Sequence, residues 1–226
     1  MPLASANRLR ISALRKALAC LACLAFLAAA QPALAHPHVW VSAKANLVFA
    51  PDGKVSAVRH HWTFDEAYSA FAVQGLDANG DGRTTPDELA GLAKTNTESL
   101  VEFAFFTVLK ANGAKQAFAP PRNETMSYEG GRLTLHFELP LSAAAAGRVV
   151  VLDVSDPTFF VDFRTAEGDD AVTLDGAPQG CTLKISRPKP AVTPDTKDLS
   201  ESVFQSLNAA SSFASGFASR AMAACP

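Results

Sequence analysis

The sequence predicts an α+β protein with a mainly antiparallel, sandwich-like β body, an inserted helix–loop–helix and a C-terminal tail. Short alternating segments separated by turn signals such as Asn112-Gly113 predict the strands of the body. Helical patterns on both sides of an acidic 12-residue loop predict an EF-hand-like insertion at residues 65–104. We therefore expect a signal peptide at 1–35, a β-rich domain at 36–190 carrying the insertion, and a linker and tail at 191–226.

The first 35 residues have the pattern of a signal peptide. A basic segment precedes an apolar run at residues 17–30 and the A-x-A cleavage site Ala33-Leu34-Ala35. The run is short for a membrane span, so we expect a periplasmic protein with no membrane span after cleavage. Cleavage removes four basic residues and no acidic ones, which leaves 16 basic and 22 acidic residues and a net charge of −6. This acidity argues against nucleic acid as a partner.

Strand patterns begin directly after the cleavage site. Residues 38–49 and 55–64 are rich in Val, Trp and Phe on either side of Pro51-Asp52-Gly53, and they predict a β-hairpin. One helix is expected from Asp65 to the acidic loop, and a second from Pro86. Further strands are expected at Phe105–Lys110, Lys115–Ala119, Leu133–Leu139, Arg148–Val154, Thr158–Thr165, Ala171–Leu174 and Thr182–Ser186.

Residues 77–88 match the calcium-loop pattern D-x-[DN]-x-[DN]-G-x5-E at every defined position. The oxygen ligands would be Asp77, Asn79, Asp81, Arg83 through its carbonyl, and Glu88. The alternative is a turn and a helix start, with Thr85 as N-cap and Glu88 as its capping-box partner, but it leaves the acidic alternation unexplained. Thr84 stands where paired loops carry an aliphatic residue, and the loop occurs once. We therefore expect weak calcium binding, roughly 10⁻⁴–10⁻³ M.

Histidines supply a second set of candidate metal ligands. Cleavage after Ala35 would expose His36 and His38 at a new N-terminus, and His60 and His61 add two further imidazoles, which suit zinc, copper and nickel. In a plain hairpin His60 faces Ala45, which leaves His38 roughly 23 Å away, so convergence needs a bend or another register. The alternative for His60 and His61 is an ordinary exposed or hydrogen-bonded strand histidine. His136 is expected to stand alone on a polar strand face.

Two cysteines, Cys181 and Cys225, remain after cleavage. In an oxidising compartment such a pair favours a disulfide over a metal site, and neither has the C-x-x-C spacing of a redox centre. No Ser/His/Asp grouping, Gly-rich phosphate loop or HExxH helix occurs in the sequence. We expect a protein that is not an enzyme and has no catalytic residues.

Several motifs in this order resemble one family. They are His36-Pro37-His38-Val39-Trp40-Val41, Trp62-Thr63-Phe64-Asp65-Glu66, the acidic loop, Glu102-Phe103-Ala104-Phe105-Phe106, Gly131-Arg132-Leu133, the stretch from Asp156 to Phe163, and Gly176-Ala177-Pro178-Gln179-Gly180-Cys181. The chain resembles the DUF1007 family of periplasmic proteins, often described as ABC-type transport components. The resemblance implies a role beside nickel/cobalt-type inner-membrane permeases in handling transition metals, zinc above all.

The leading hypothesis is a periplasmic accessory protein that binds a divalent transition metal (zinc, nickel or cobalt) and presents it to an inner-membrane permease. Calcium at residues 77–88 would order the helical insertion. Two alternatives remain open. One is a copper protein that uses an N-terminal histidine chelate, and the other is a calcium-stabilised interaction module without transition-metal binding.

Overall fold

The protein is described by a computed structural model over residues 38–158, 160–187 and 219–226. The predicted signal peptide, His36 and the predicted linker lie outside these residues. The helices in these ranges are α1, Glu66–Ala72, and α2, Pro86–Ser99, with 3₁₀ segments at Leu100–Phe106 and Asp169–Ala171. The strands are β1 Val39–Phe49, β2 Val55–Phe64, β3 Thr107–Ala111, β4 Ala114–Lys115, β5 Arg122–Glu129, β6 Arg132–Ala145, β7 Val149–Val154, β8 Val161–Thr165, β9 Val172–Asp175, β10 Thr182–Ser186 and β11 Arg220–Ala224.

These strands form two sheets. The six-stranded sheet has the order β5-β6-β2-β1-β8, with β9 also paired to β1, and the five-stranded sheet has the order β10-β11-β7-β3-β4. Strand β1 is antiparallel to β2 but parallel to β8 and β9. The predicted β1–β2 hairpin is confirmed, and so is its register, because Ala45 lies opposite His60.

The core lies on one face of the six-stranded sheet. Part of this inner face packs on the second sheet through residues such as Leu47, Leu109 and Leu152, and the rest packs on the helices through Leu89 and Ala93. Side chains alternate along β1, so every second residue from Trp40 to Asn46 points away from the core and is exposed or partly exposed. We call this opposite, polar surface of the six-stranded sheet the outer face.

The predicted α+β class with an EF-hand-like helix–loop–helix insertion is wrong. The described chain is mostly β, and α1 ends at Ala72 because the following turn contains Gly75 at φ +76°. Four residues therefore separate α1 from Asp77, and no helix leads directly into the loop. Nor are the helices a separate insertion: Leu89 belongs to the core, and Ser69 Oγ accepts a hydrogen bond from the Leu133 backbone N–H at 3.0 Å. The sandwich-like part of the expectation fits the two sheets.

The last described residues of the predicted tail form a strand. Strand β11 pairs with β10 on one side and β7 on the other, inside the five-stranded sheet. The expected bridge between Cys181 and Cys225 is confirmed by an S–S distance of 2.06 Å, and it ties the end of β11 to the start of β10. Over the described residues, no helix is long and apolar enough to cross a membrane.

Candidate metal centre

The histidines predicted as metal ligands do not come together as one group. His60 and His61 are neighbours on β2, so they point to opposite faces of the sheet. His38 lies just before β1, where its N–H donates to the Phe160 carbonyl at 3.0 Å and its ring contacts the Phe160 ring. His36 lies outside the described residues. The hairpin register keeps His38 away from His60 and His61, as predicted, and strand alternation separates His60 from His61.

His60 points into the core and is fully buried. Its ring packs against Trp62 and Phe137, with ring centroids 5.1 and 4.9 Å away. Thr107 Oγ1 donates to the Phe105 carbonyl, so it accepts from His60 Nε2–H at 3.2 Å, and no described residue pairs with Nδ1. Burial lowers the pKa of His60 to about 3, with a smaller contribution from His61. The ring stays neutral and out of reach of an incoming ion.

His61 points to the outer face and contacts His136, which the sequence predicted to stand alone. Strand β6 places His136 directly opposite His61, and their Nδ1 atoms lie 2.7 Å apart. Both rings are partly buried. Thr125 of β5 lies opposite His136 and Lys44 of β1 lies opposite His61, so four outward side chains form one row across the sheet. The sequence predicts the outward position of His136 in an alternating strand, but the pairing of that strand with β2 was not predictable locally.

The surroundings keep this pair uncharged near neutral pH. Burial is the main cause that lowers the pKa of His61, followed by the charges of His136, Arg59 and Lys44. Burial also lowers the pKa of His136. The flanking cations are themselves paired: Lys44 Nζ lies 2.6 Å from Asp170, and Arg59 Nε lies 2.9 Å from Glu138. A neutral imidazole is the form that binds a metal, so the pair is in its ligand form at neutral pH.

The two imidazoles fit a borderline metal ion by chemistry and by spacing. Two ring nitrogens bound to one tetrahedral zinc at about 2.05 Å stand about 3.3 Å apart. The observed 2.7 Å would therefore have to open by about 0.6 Å. In the described part of the chain, no three His, Cys, Asp or Glu side chains are grouped to hold a metal. A metal at His61 and His136 would thus have two histidine ligands and take its other ligands from elsewhere.

The acidic loop is closed by hydrogen bonds to its own backbone. Asp77 accepts from the N–H groups of Gly80 and Gly82 at 2.8 and 2.9 Å, and Glu88 accepts from Ala78 at 2.9 Å. Asn79 and Asp81 accept from the N–H groups two residues further on, Asp81 and Arg83. Thr85 and Glu88 form the predicted capping box at the start of α2. The contact between Glu88 and Ala78 brings the last loop position beside the first ones.

The fold and the site define a two-sheet β protein with a histidine pair on the outer face of its larger sheet. The chain belongs to the DUF1007 family, described as a protein of unknown function, whose family model matches residues 21–225. It is 31% identical over 91 residues to an uncharacterized 15.5 kDa protein in the trpE 3′ region of Spirochaeta aurantia. That match covers 40% of this chain and 65% of the relative, just under two thirds of its length. No solved structure matches the chain.

Proposed function

We propose that this is a periplasmic accessory protein that binds a divalent transition-metal ion at His61 and His136 and presents it to an inner-membrane permease. The observation that carries the metal site is the 2.7 Å separation of the two Nδ1 atoms on the outer face. The periplasmic location rests on the signal-peptide pattern, and the permease rests on the family resemblance. Nitrogen ligands favour zinc, nickel, cobalt or copper over magnesium and calcium.

A two-histidine site suits an ion that is carried and then released. Structural zinc sites use four protein ligands, whereas open sites leave positions for water or an incoming group. The same open positions would accept ligands from a receiving protein during transfer.

The test is calorimetry of Zn²⁺, Ni²⁺ and Cu²⁺ binding to protein that begins at His36. The His61→Ala/His136→Ala variant should lose binding of the preferred ion. The matched control is Thr63→Ala/Thr134→Ala, which truncates the neighbouring outward pair on the same two strands, hydrogen-bonded at 2.9 Å. This control should bind as the wild type does, because it changes the same surface without touching an imidazole.

A third variant, His36→Ala/His38→Ala, separates the proposal from the copper alternative. If binding is lost in this variant and kept in the His61→Ala/His136→Ala variant, the metal site is the N-terminal chelate and the proposal is wrong. It is also wrong if the wild type binds none of the three ions. Binding that depends only on His61 and His136 supports it.

We also propose that residues 77–88 form a weak calcium site, without the helix–loop–helix frame that the sequence suggested. The hydrogen bond from Ala78 to Glu88 supports this, because it joins the two ends of the loop that would share the ion. Asp77, Asn79, Asp81, the Arg83 carbonyl and Glu88 would supply the oxygens, and the carboxylates would have to turn from the backbone N–H groups towards the ion. Calcium should then order the start of α2 while the histidine pair serves the transition metal.

A further inference from the structure

We infer that Asn46, anchored by Thr173, is a positioning residue that fixes the proton of His61 on Nε2 and turns its Nδ1 lone pair towards His136. The role of Asn46 in metal binding rests on the proposed metal site, but the hydrogen bonds that support the inference are present in the metal-free protein. It predicts that the metal is held through Nδ1 of His61, and it adds two residues that the histidine pattern does not reveal.

The first step is the orientation of the Asn46 amide. Asn46 lies on β1 directly opposite Thr173 of β9, and its Nδ2 donates to Thr173 Oγ1 at 2.5 Å. With the amide nitrogen directed to β9, the amide oxygen is directed to β2. Asn46 is partly buried, so the amide does not exchange these contacts freely with bulk water.

The second step is the contact with His61. Asn46 Oδ1 lies 2.9 Å from His61 Nε2. A carbonyl oxygen can only accept a hydrogen bond, so His61 Nε2 carries the proton. In a neutral imidazole the other nitrogen, Nδ1, is then an unprotonated acceptor, and it is this atom that faces His136 at 2.7 Å.

The third step is the consequence for binding. Histidines that ligate a metal commonly donate their other ring N–H to a carboxylate or carbonyl, which fixes the tautomer and the ring orientation. Asn46 occupies this supporting position for His61, and Thr173 holds Asn46. His136 Nδ1 supplies the proton between the two rings in the metal-free state, so metal binding requires His136 to move that proton to Nε2. Neither ring needs to lose a net proton.

The experiment measures tautomers by long-range ¹H–¹⁵N NMR of metal-free protein, and zinc affinity in parallel. In the wild type, His61 should be protonated on Nε2. Asn46→Leu removes the acceptor, so His61 should become a mixture of tautomers, and zinc affinity should fall about 10- to 100-fold. Thr173→Val removes only the anchor and should shift both readouts in the same direction. Asn46→Asp keeps an acceptor and should restore the Nε2–H tautomer while raising the pKa of His61.

Two results overturn the inference: a wild-type His61 protonated on Nδ1, as a reversed Asn46 amide would give, or an unchanged tautomer in Asn46→Leu. Because the tautomer is read without metal, a correct tautomer in a protein that binds none of Zn²⁺, Ni²⁺ and Cu²⁺ refutes the proposed function alone. An incorrect tautomer in a protein that binds zinc through both histidines refutes the Asn46 inference alone.

Discussion

The burial of His60 predicts how the free energy of unfolding changes with pH. Its pKa is lowered to about 3 in the folded protein, whereas an unfolded chain has a histidine pKa near 6.5. Between these values the unfolded state binds a proton that the folded state does not. The stability that the neutral ring contributes is therefore fully present above about pH 6.5 and is lost as the pH falls towards 3. From pH 8 to pH 5 the loss is about 2 kcal/mol for this one group.

The measurement is urea unfolding of wild type and His60→Phe at pH 8, 6.5 and 5, with the disulfide intact. Phenylalanine keeps an aromatic ring against Trp62 and Phe137 but cannot titrate. His61 and His136 titrate in both proteins, so the difference between the two curves isolates His60. We expect His60→Phe to gain about 2 kcal/mol relative to wild type as the pH falls from 8 to 5.

A matched control is Trp62→Phe, which changes an equally buried ring but removes no titrating group. Its free energy of unfolding should fall with decreasing pH in parallel with wild type. If the wild-type and His60→Phe curves are parallel from pH 8 to pH 5, His60 is not held neutral by burial. The conclusion that burial in the core lowers the pKa of His60 would then be refuted.

Three further predictions concern the outer face, the acidic loop and the disulfide. Thr125→His places a third imidazole beside His136 and should raise zinc affinity by about tenfold or more, as measured by calorimetry. Calcium at about 10 mM should stabilise the wild type by about 1.4 kcal/mol for a Kd near 1 mM, seen as a higher Tm, and Asp77→Asn should abolish the rise. Cys225→Ser opens a bridge between residues 44 apart in sequence and should cost about 4 kcal/mol in chemical unfolding.

Each of these has a control that can contradict it. Ser127→His adds an imidazole on the same strand but opposite Thr134, so an equal gain in zinc affinity would place the metal elsewhere. An equal rise in Tm with calcium in Asp77→Asn would argue against the loop. Wild type with both cysteines reduced should match Cys225→Ser, and a stability loss confined to the serine variant would point to its side chain instead of the bridge.

The local parts of the fold were predictable from sequence. The turn at residues 51–53 and the alternation around it gave the β1–β2 register, and the capping residues gave the start of α2 at Pro86. Strand β5 was missed because its residues are mostly polar and only Met126 of the strand is buried. Strand β11 was missed because alanines carry little strand signal, although Ala221 and Ala223 are buried.

The candidate site was only half predictable. His61 could be placed on an outward position from β2 alone, but His136 reaches it through a pairing of strands 75 residues apart in sequence. Asn46 and Thr173 are 127 residues apart. Local periodicity fixes which face a side chain occupies, and it does not say which strand lies beside it. The predicted helix–loop–helix was wrong for a related reason. The loop pattern specifies only the calcium ligands, and the turn that contains Gly75, outside the pattern, ends α1 before the loop.

The pairing of β1 with β8 and β9 also bears on how the molecule folds. Antiparallel neighbours such as β1 and β2 form early because a short turn closes them, whereas β1 meets β9 only after a loop of more than a hundred residues has closed. Contacts of such high sequence separation slow folding. The hydrogen bond between Asn46 and Thr173 spans this late contact. The pairing of β2 with β6 closes a shorter loop, since His61 and His136 are 75 residues apart and Asn46 and Thr173 are 127 apart. His61 therefore acquires its fixed tautomer only when β9 has docked on β1.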